Sequence, residues 1–268
     1  MMGGGGVRGH HRESIERLKE CFRGAEGVLA VILAGSVAKG LEREDSDIDA
    51  IVVVDGRRYA ELAAQGRLSE CVWGRCTYEG GYFDIKYVTL DYLEDLSARG
   101  SEPSRSAFEG ARCVLGGDGR IGELVGAIPT FQDAERGEKM LSFHAALSLN
   151  EGYFWGASDG DAYLRARVVS DIVLYGLRLV LQWCGVLFPC HKALMGTVSG
   201  LGEAQRAIAT KAEGFLRDPN DGTKSAFVAA VKGFVGYEPP KDYNAVLTRY
   251  VDDNERWWHL GRPNIAEW

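Results

Sequence analysis

The chain has 268 residues, a formal charge of −7 and 46% hydrophobic residues. This composition excludes wholesale disorder and collagen-like repeats, and the length predicts one or two domains whose cores need no disulfide staples. The acidic balance argues against a surface that coats nucleic acid, which carries a basic excess.

Met1–His11 is glycine-rich and has no apolar stretch, which predicts a disordered lead and no signal peptide. Glu13–Arg23 places Ile15, Leu18 and Phe22 on one side of a helix. Val28–Ala34 is a continuous apolar run, the pattern of a strand buried on both faces. Gly35–Gly40 turns the chain, and Ile48–Val54 is a second buried strand. Arg57–Leu68 reads as a helix. Cys71–Tyr78 and Tyr82–Thr89 read as strands joined at Glu79-Gly80-Gly81, a hairpin signal. Leu90–Arg99 reads as a helix, and Cys113–Leu115 as a short strand before the turn Gly116–Gly119.

Beyond Arg136 the pattern is helical. Arg136–Trp155, Ala162–Val186, Pro189–Val198, Gly202–Arg217, Thr223–Val235 and Asp242–Trp258 are separated by glycine and proline breaks. The expected fold class is therefore α+β, an N-terminal mixed-sheet core over 12–125 followed by a C-terminal all-helical domain over 130–268. The longest apolar region, Val168–Phe188, is interrupted by Asp171, Arg178 and Gln182, so it reads as a buried helix and not a membrane span. The six cysteines form no CxxC pair, and no histidine stands at zinc-ligand spacing from them. Reduced thiols and a cytoplasmic location are expected. The histidines are scattered: His10 and His11 fall in the lead, and His144, His191 and His259 read as packed or surface residues.

One segment concentrates the chemistry. Gly35-Ser36-Val37-Ala38-Lys39-Gly40 is followed, five residues on, by Ser46-Asp47-Ile48-Asp49. A tight turn at the end of a buried strand, leading into a helix N-terminus, can aim backbone N–H groups at phosphate oxygens. Glycine at 35 permits close approach, and the Ser36 hydroxyl can donate to the same oxygens. Asp47 and Asp49 are two apart at the start of a strand, so both carboxylates share one face. Such a pair suits a hard divalent cation, Mg²⁺ above all. Asp84 and Lys86 share one face of the later strand, where Asp84 supplies a third carboxylate. Three carboxylates beside a phosphate cradle fit two-metal phosphoryl or nucleotidyl transfer.

This constellation resembles the nucleotidyltransferase superfamily that includes DNA polymerase beta and the aminoglycoside nucleotidyltransferases. Gly35, Ser36, Ala38, Lys39, Gly40, Ser46, Asp47 and Asp49 match its signature in type and spacing, and Asp84 matches its third acidic position by strand context. The resemblance covers about residues 12–120. It implies a nucleotidyltransferase core that uses two Mg²⁺ ions, or Mn²⁺, with an NTP as substrate, ATP foremost. The triphosphate would lie against Gly35 and Ser36, with Lys39, Ser46 and Lys86 as further nucleotide-binding candidates. Asp47, Asp49 and Asp84 would hold metal, and Asp84 is assigned as both ligand and general base.

In two-domain relatives a lysine of the C-terminal half often helps bind triphosphate, which makes Lys192 a candidate. Glu151 with Tyr153 and Trp155 could form an acidic, aromatic wall for a cationic acceptor, against the alternative of aromatics packed in a core. The expected reaction is Mg-dependent transfer of a nucleoside monophosphate to a hydroxyl of a small molecule, with aminoglycoside-like or other cationic natural products as candidates. The alternatives are a protein or RNA acceptor, or a degenerate nucleotide-binding module. Neither stable nucleic-acid binding nor a membrane partner is expected.

Overall fold

The structure is a computed structural model that describes residues 7–117 and 119–268. Residues 1–6 of the predicted lead and Asp118 of the predicted turn lie outside the described residues. The chain divides into two units, Met1–Gly100 with Ser104–Thr130, and Ser101–Pro103 with Phe131–Trp268.

In chain order the first elements are α1 (Gly9–Phe22), β1 (Val28–Leu33), α2 (Gly35–Lys39), β2 (Ile48–Val54), α3 (Gly56–Ala64), β3 (Ser69–Trp73), β4 (Tyr82–Val88), α4 (Leu90–Arg99), α5 (Glu102–Ser106), β5 (Arg112–Gly116) and α6 (Arg120–Ala127). The strands form one mixed sheet in the order β3-β4-β2-β1-β5. β2 and β4 are parallel, and the other neighbours are antiparallel. The apolar runs of β1 and β2 follow from burial on both sides. Val31, Leu33, Ala50, Val52 and Val54 pack with Ile15 and Leu18 of α1 and Leu62 of α3. Ala30, Ile32, Ile51 and Val53 pack with Leu93 and Leu96 of α4 and Ile121, Leu124 and Val125 of α6.

Three expectations need correction here. The lead is ordered from Gly9 as the first turn of α1, and His11 is fully buried. Gly35–Gly40 is a short helix and not a plain turn, closed by Gly40 at φ 69°. The strand expected to run to Tyr78 ends at Trp73, because Thr77 and Tyr78 turn away to bond α1 and the loop before β2.

The second unit is helical: α7 (Asp133–Leu149), a π turn at Asn150–Phe154, α8 (Trp155–Ala157), α9 (Ala162–Cys184), α10 (Leu194–Gly200), α11 (Glu203–Arg217), α12 (Asp221–Phe234), α13 (Tyr243–Asn254) and α14 (Trp257–Leu260). The predicted long helix Arg136–Trp155 is thus interrupted where the buried Asn150 amide donates to the Ala146 carbonyl at 2.9 Å. That side chain competes with the backbone ladder, a recognised cause of helix irregularity. The middle of α9 is buried all round, as its apolar run predicted. Gly176 lets it approach α12, since a Cβ there would stand 2.7 Å from the Phe227 ring. Among the described residues no helix is long and apolar enough to cross a membrane.

The core of this unit also holds a buried ionic knot. The Glu102 carboxylate accepts from Lys139 Nζ at 2.9 Å, from the Phe188 N–H at 2.9 Å, and from the Gln182 amide. Arg178 reaches the same carboxylate at 3.4 Å and lies over the Phe143 and Phe188 rings. Glu102, Lys139 and Arg178 are each at most 1% exposed. A buried charge is tolerated only when partners replace the lost water, which this knot provides.

Candidate active site

Two strands and a loop bring the three predicted acids together. In the parallel β2–β4 ladder Asp49 is directly opposite Asp84. Parallel partners share a face, so their carboxylates stand side by side. Asp47 immediately precedes β2 and joins them. One carboxylate oxygen from each of Asp47, Asp49 and Asp84 lies within 4.8 Å of the others, and all three residues are half-buried. Three anionic oxygens this close repel one another, and hard oxygen ligands in this number are what Mg²⁺ or Mn²⁺ takes from protein. The donor set therefore fits a divalent ion.

The α2 turn is built onto the same acids. The Ala34 N–H donates to the Asp49 carbonyl at 3.0 Å, which ties the end of β1 to the start of β2. Gly35 then takes φ +66°, and a Cβ there would sit 1.7 Å from Asp49 Oδ2. Glycine is required twice, for its backbone angle and for the space the carboxylate fills. Ser36 follows in the first turn of α2. Lys39, at the other end of α2, pairs with Glu109 at 2.8 Å.

Around the acids several groups hold the geometry. The Asp47 carboxylate beside the Tyr82 hydroxyl favours the protonated phenol and pushes it up to about 12. Lys86 pairs with Asp84 at 3.2 Å on the predicted shared face. Ser46, expected to touch nucleotide, is 8% exposed and also braces the loop before Asp47. Its hydroxyl accepts the Arg43 N–H at 2.9 Å, and its carbonyl accepts from both His11 Nε2 and the Tyr78 hydroxyl. His11 and Tyr78 thus pin the residue before Asp47. With Nε2–H donating, Nδ1 is buried without a hydrogen-bond partner among the described residues. Burial first, and then the neighbouring His10, hold this imidazole below its ordinary value. Burial likewise pushes the Tyr78 phenol up. Sequence reasoning missed both residues. The only available signal was the His10–His11 pair at the end of a glycine-rich lead, which read as disorder.

The candidates in the helical unit are separate features. Lys192 is exposed in the turn before α10. Glu151 and Tyr153 line a groove of about 630 Å³ with Lys224, Lys232 and Tyr243. The groove is not the acidic wall expected, since Lys232 pairs with the Glu151 carboxylate and Lys224 donates to its carbonyl at 3.2 Å. Trp155 does not line that groove. It is 9% exposed in the core, its indole N–H donates to Asp221 at 2.8 Å, and Arg165 lies over its ring at 3.9 Å.

Residues 15–97 match the family model described as the nucleotidyltransferase domain. That stretch contains β1 to β4, the Gly35 turn and all three acids, so the match falls on the part of the first unit that holds the site. No curated protein matches the chain. Among solved structures it is similar to a nucleotidyltransferase-like protein from Exiguobacterium sibiricum 255-15, with TM-score 0.43 and 8% identity over 93% of this chain and 79% of that one. It is also similar to the spectinomycin adenyltransferase AAD(9) from Enterococcus faecialis, with TM-score 0.35 and 14% identity over 89% of this chain and 96% of that one. At these scores neither likeness adds weight to the family match.

Proposed function

We propose, from the nucleotidyltransferase domain at residues 15–97, that the chain transfers a nucleoside monophosphate from an NTP, ATP foremost, to a hydroxyl of a small molecule. The observation that carries this reading is the convergence of Asp47, Asp49 and Asp84 beside the Gly35 turn. Asp47 and Asp49 would hold the ion that accompanies the triphosphate, and all three acids a second one. Bound Mg²⁺ or Mn²⁺ would neutralise phosphate charge and make the acceptor hydroxyl more acidic.

The protein's own groups do the rest. The Gly35–Ser36 backbone and the Ser36 hydroxyl receive the terminal phosphates. Tyr82 places its hydroxyl beside the Asp47 carboxylate. His11 and Tyr78 fix the backbone that carries Asp47. Asp84 orients the attacking hydroxyl and takes its proton. Lys86 is placed beside Asp84 to meet phosphate or acceptor, and Lys39 is held back by Glu109 until a stronger anion competes. Lys192 remains a candidate for the triphosphate, and Glu151 and Tyr153 for the acceptor.

A small-molecule acceptor agrees with the net charge of −7, which disfavours a polyanionic one. Incubation with MgATP labelled at the α-phosphate, together with a cell extract, should move label into the small-molecule fraction. Label in protein or RNA would reassign the acceptor. Asp47→Asn should abolish pyrophosphate release and leave the circular dichroism unchanged. Release that survives this change would remove the metal-acid reading altogether.

A further inference from the structure

The order of strands sets an order of groups. On β3, Ser69, Cys71 and Trp73 are exposed, while Glu70 and Val72 between them are turned to the other face. In the β3–β4 ladder Cys71 is opposite Asp84 and Trp73 opposite Tyr82, so the exposed row lies on the face of the acids. β4 carries Tyr82 and Asp84, β2 follows with Asp47 and Asp49 at its start, and β1 leads into Gly35. Neighbouring strands are about 4.8 Å apart. Gly35 and Trp73 therefore stand on opposite sides of the three acids.

Trp73 is 63% exposed, and it is stacked on Tyr82 with ring centroids 4.4 Å apart and planes at 29°. Among the described residues, no β3 side chain joins the apolar cluster that α4 and α6 form over this face. Leaving an indole face in water forgoes the free energy of covering it. It is also held flat by a tyrosine that itself touches Asp47. This is a rigid aromatic surface next to the reacting centre, not a stray hydrophobe.

In-line transfer requires the attacking oxygen to enter opposite the leaving pyrophosphate. With the terminal phosphates on the Gly35 side, entry is from the β4–β3 side. We infer that Trp73, backed by Tyr82, is the shelf on which a ring of the acceptor stacks while its hydroxyl meets Asp84. This makes Trp73 a specificity-determining residue, and it rests on the transferase reading of the first unit. The step balances without a further reactant. The acceptor oxygen forms a bond to the α-phosphorus, and the bond from that phosphorus to the bridging oxygen breaks. Pyrophosphate leaves with the electron pair, and the hydroxyl proton passes to Asp84.

Cys71 gives a test that needs no knowledge of the natural acceptor. It is exposed, two residues from Trp73 and opposite Asp84. In a Cys21→Ser background, which removes the other exposed thiol, the full chain is equilibrated with benzyl and ring-free aminoethyl disulfides. Capture at Cys71 is then read by peptide mass. The ring-bearing probe should be retained about five-fold or more over the ring-free one, the low end for an aromatic stacking contact. Trp73→Ala should erase the preference, Trp73→Phe should restore it, and MgADP should leave it unchanged. A preference that persists in Trp73→Ala, or equal capture of the two probes by the unsubstituted Trp73 chain, overturns the shelf. Displacement of the ring probe by MgADP also overturns it, because the nucleotide base would then occupy Trp73. Failure of the underlying reading shows elsewhere, as pyrophosphate release that persists in Asp47→Asn.

Discussion

Gly35→Ala tests how closely the α2 turn and the acids are fitted. The added Cβ would stand 1.7 Å from Asp49 Oδ2, and real Cβ contacts essentially never fall below 3.0 Å, so the carboxylate must retreat by about 1.3 Å. The residue must also hold φ +66°, which costs a non-glycine residue about 1–2 kcal/mol. These two effects separate in experiment. The strain lowers the urea midpoint by a modest amount that any left-handed position would show. The retreat displaces Asp49 from its place beside Asp84 and Asp47, and misplacement of a positioned group by about 1 Å costs on the order of 10²-fold in rate. Pyrophosphate release from MgATP should therefore fall by about a hundred-fold, with weakened Mn²⁺ binding followed by electron paramagnetic resonance. As a control, Gly24→Ala has the same kind of angle, φ +71°, with open space around it. It should show the strain and not the loss of rate. If Gly35→Ala keeps its rate and its Mn²⁺ affinity, the acids are not held by this contact and the fitted-site argument is wrong.

Two further outcomes follow from the helical unit. Glu102→Gln removes the charge that compensates Lys139 and Arg178, and breaking a buried pair in this way costs about 3–5 kcal/mol. Urea unfolding should fall toward the lower end of that range, because Glu135 also pairs with Lys139 at 3.0 Å. A loss below about 1 kcal/mol, the worth of an exposed pair, would show that the knot is not desolvated. His144 is held down to about 4 by burial and by the Lys232 charge, against 6.5 when free. The folded state therefore binds fewer protons than the unfolded state in that window. Its contribution to stability is complete above pH 6.5 and is lost as the pH falls toward 4. The imidazole C–H resonance should titrate near 4, and Lys232→Met should raise that midpoint. A midpoint near 6.5 would refute both causes.

The sheet was legible where burial imposes a pattern. β2 begins and ends at the residues its apolar run indicates, and α4 matches Leu90–Arg99. The acids were legible because their spacing is local and their residue types are costly without a purpose. What joins them was not: the register that sets Asp49 opposite Asp84 is a pairing across 35 positions, written nowhere in either strand alone. Ser46 carries a role that its place in a signature did not suggest: its hydroxyl accepts the Arg43 N–H and braces the loop before Asp47. Trp155 and Glu151 stood together in sequence, yet the π turn sends one into the core and the other to a groove. His11 was illegible because its partners, Ser46 and Tyr78, lie 35 and 67 residues away.

The assignment of Ser101–Pro103 to the helical unit has a practical consequence for dissecting the chain. The polypeptide crosses between its two units three times, at 100/101, 103/104 and 130/131. A single cut near residue 130 cannot return both units whole. The C-terminal fragment would leave Lys139 and Arg178 in an apolar core without their shared carboxylate. The N-terminal fragment would carry Glu102 away from every partner it has in this knot. The helical piece should therefore be poorly soluble, and an intact helical unit is better sought by joining residues 101–103 to the helical half than by truncation.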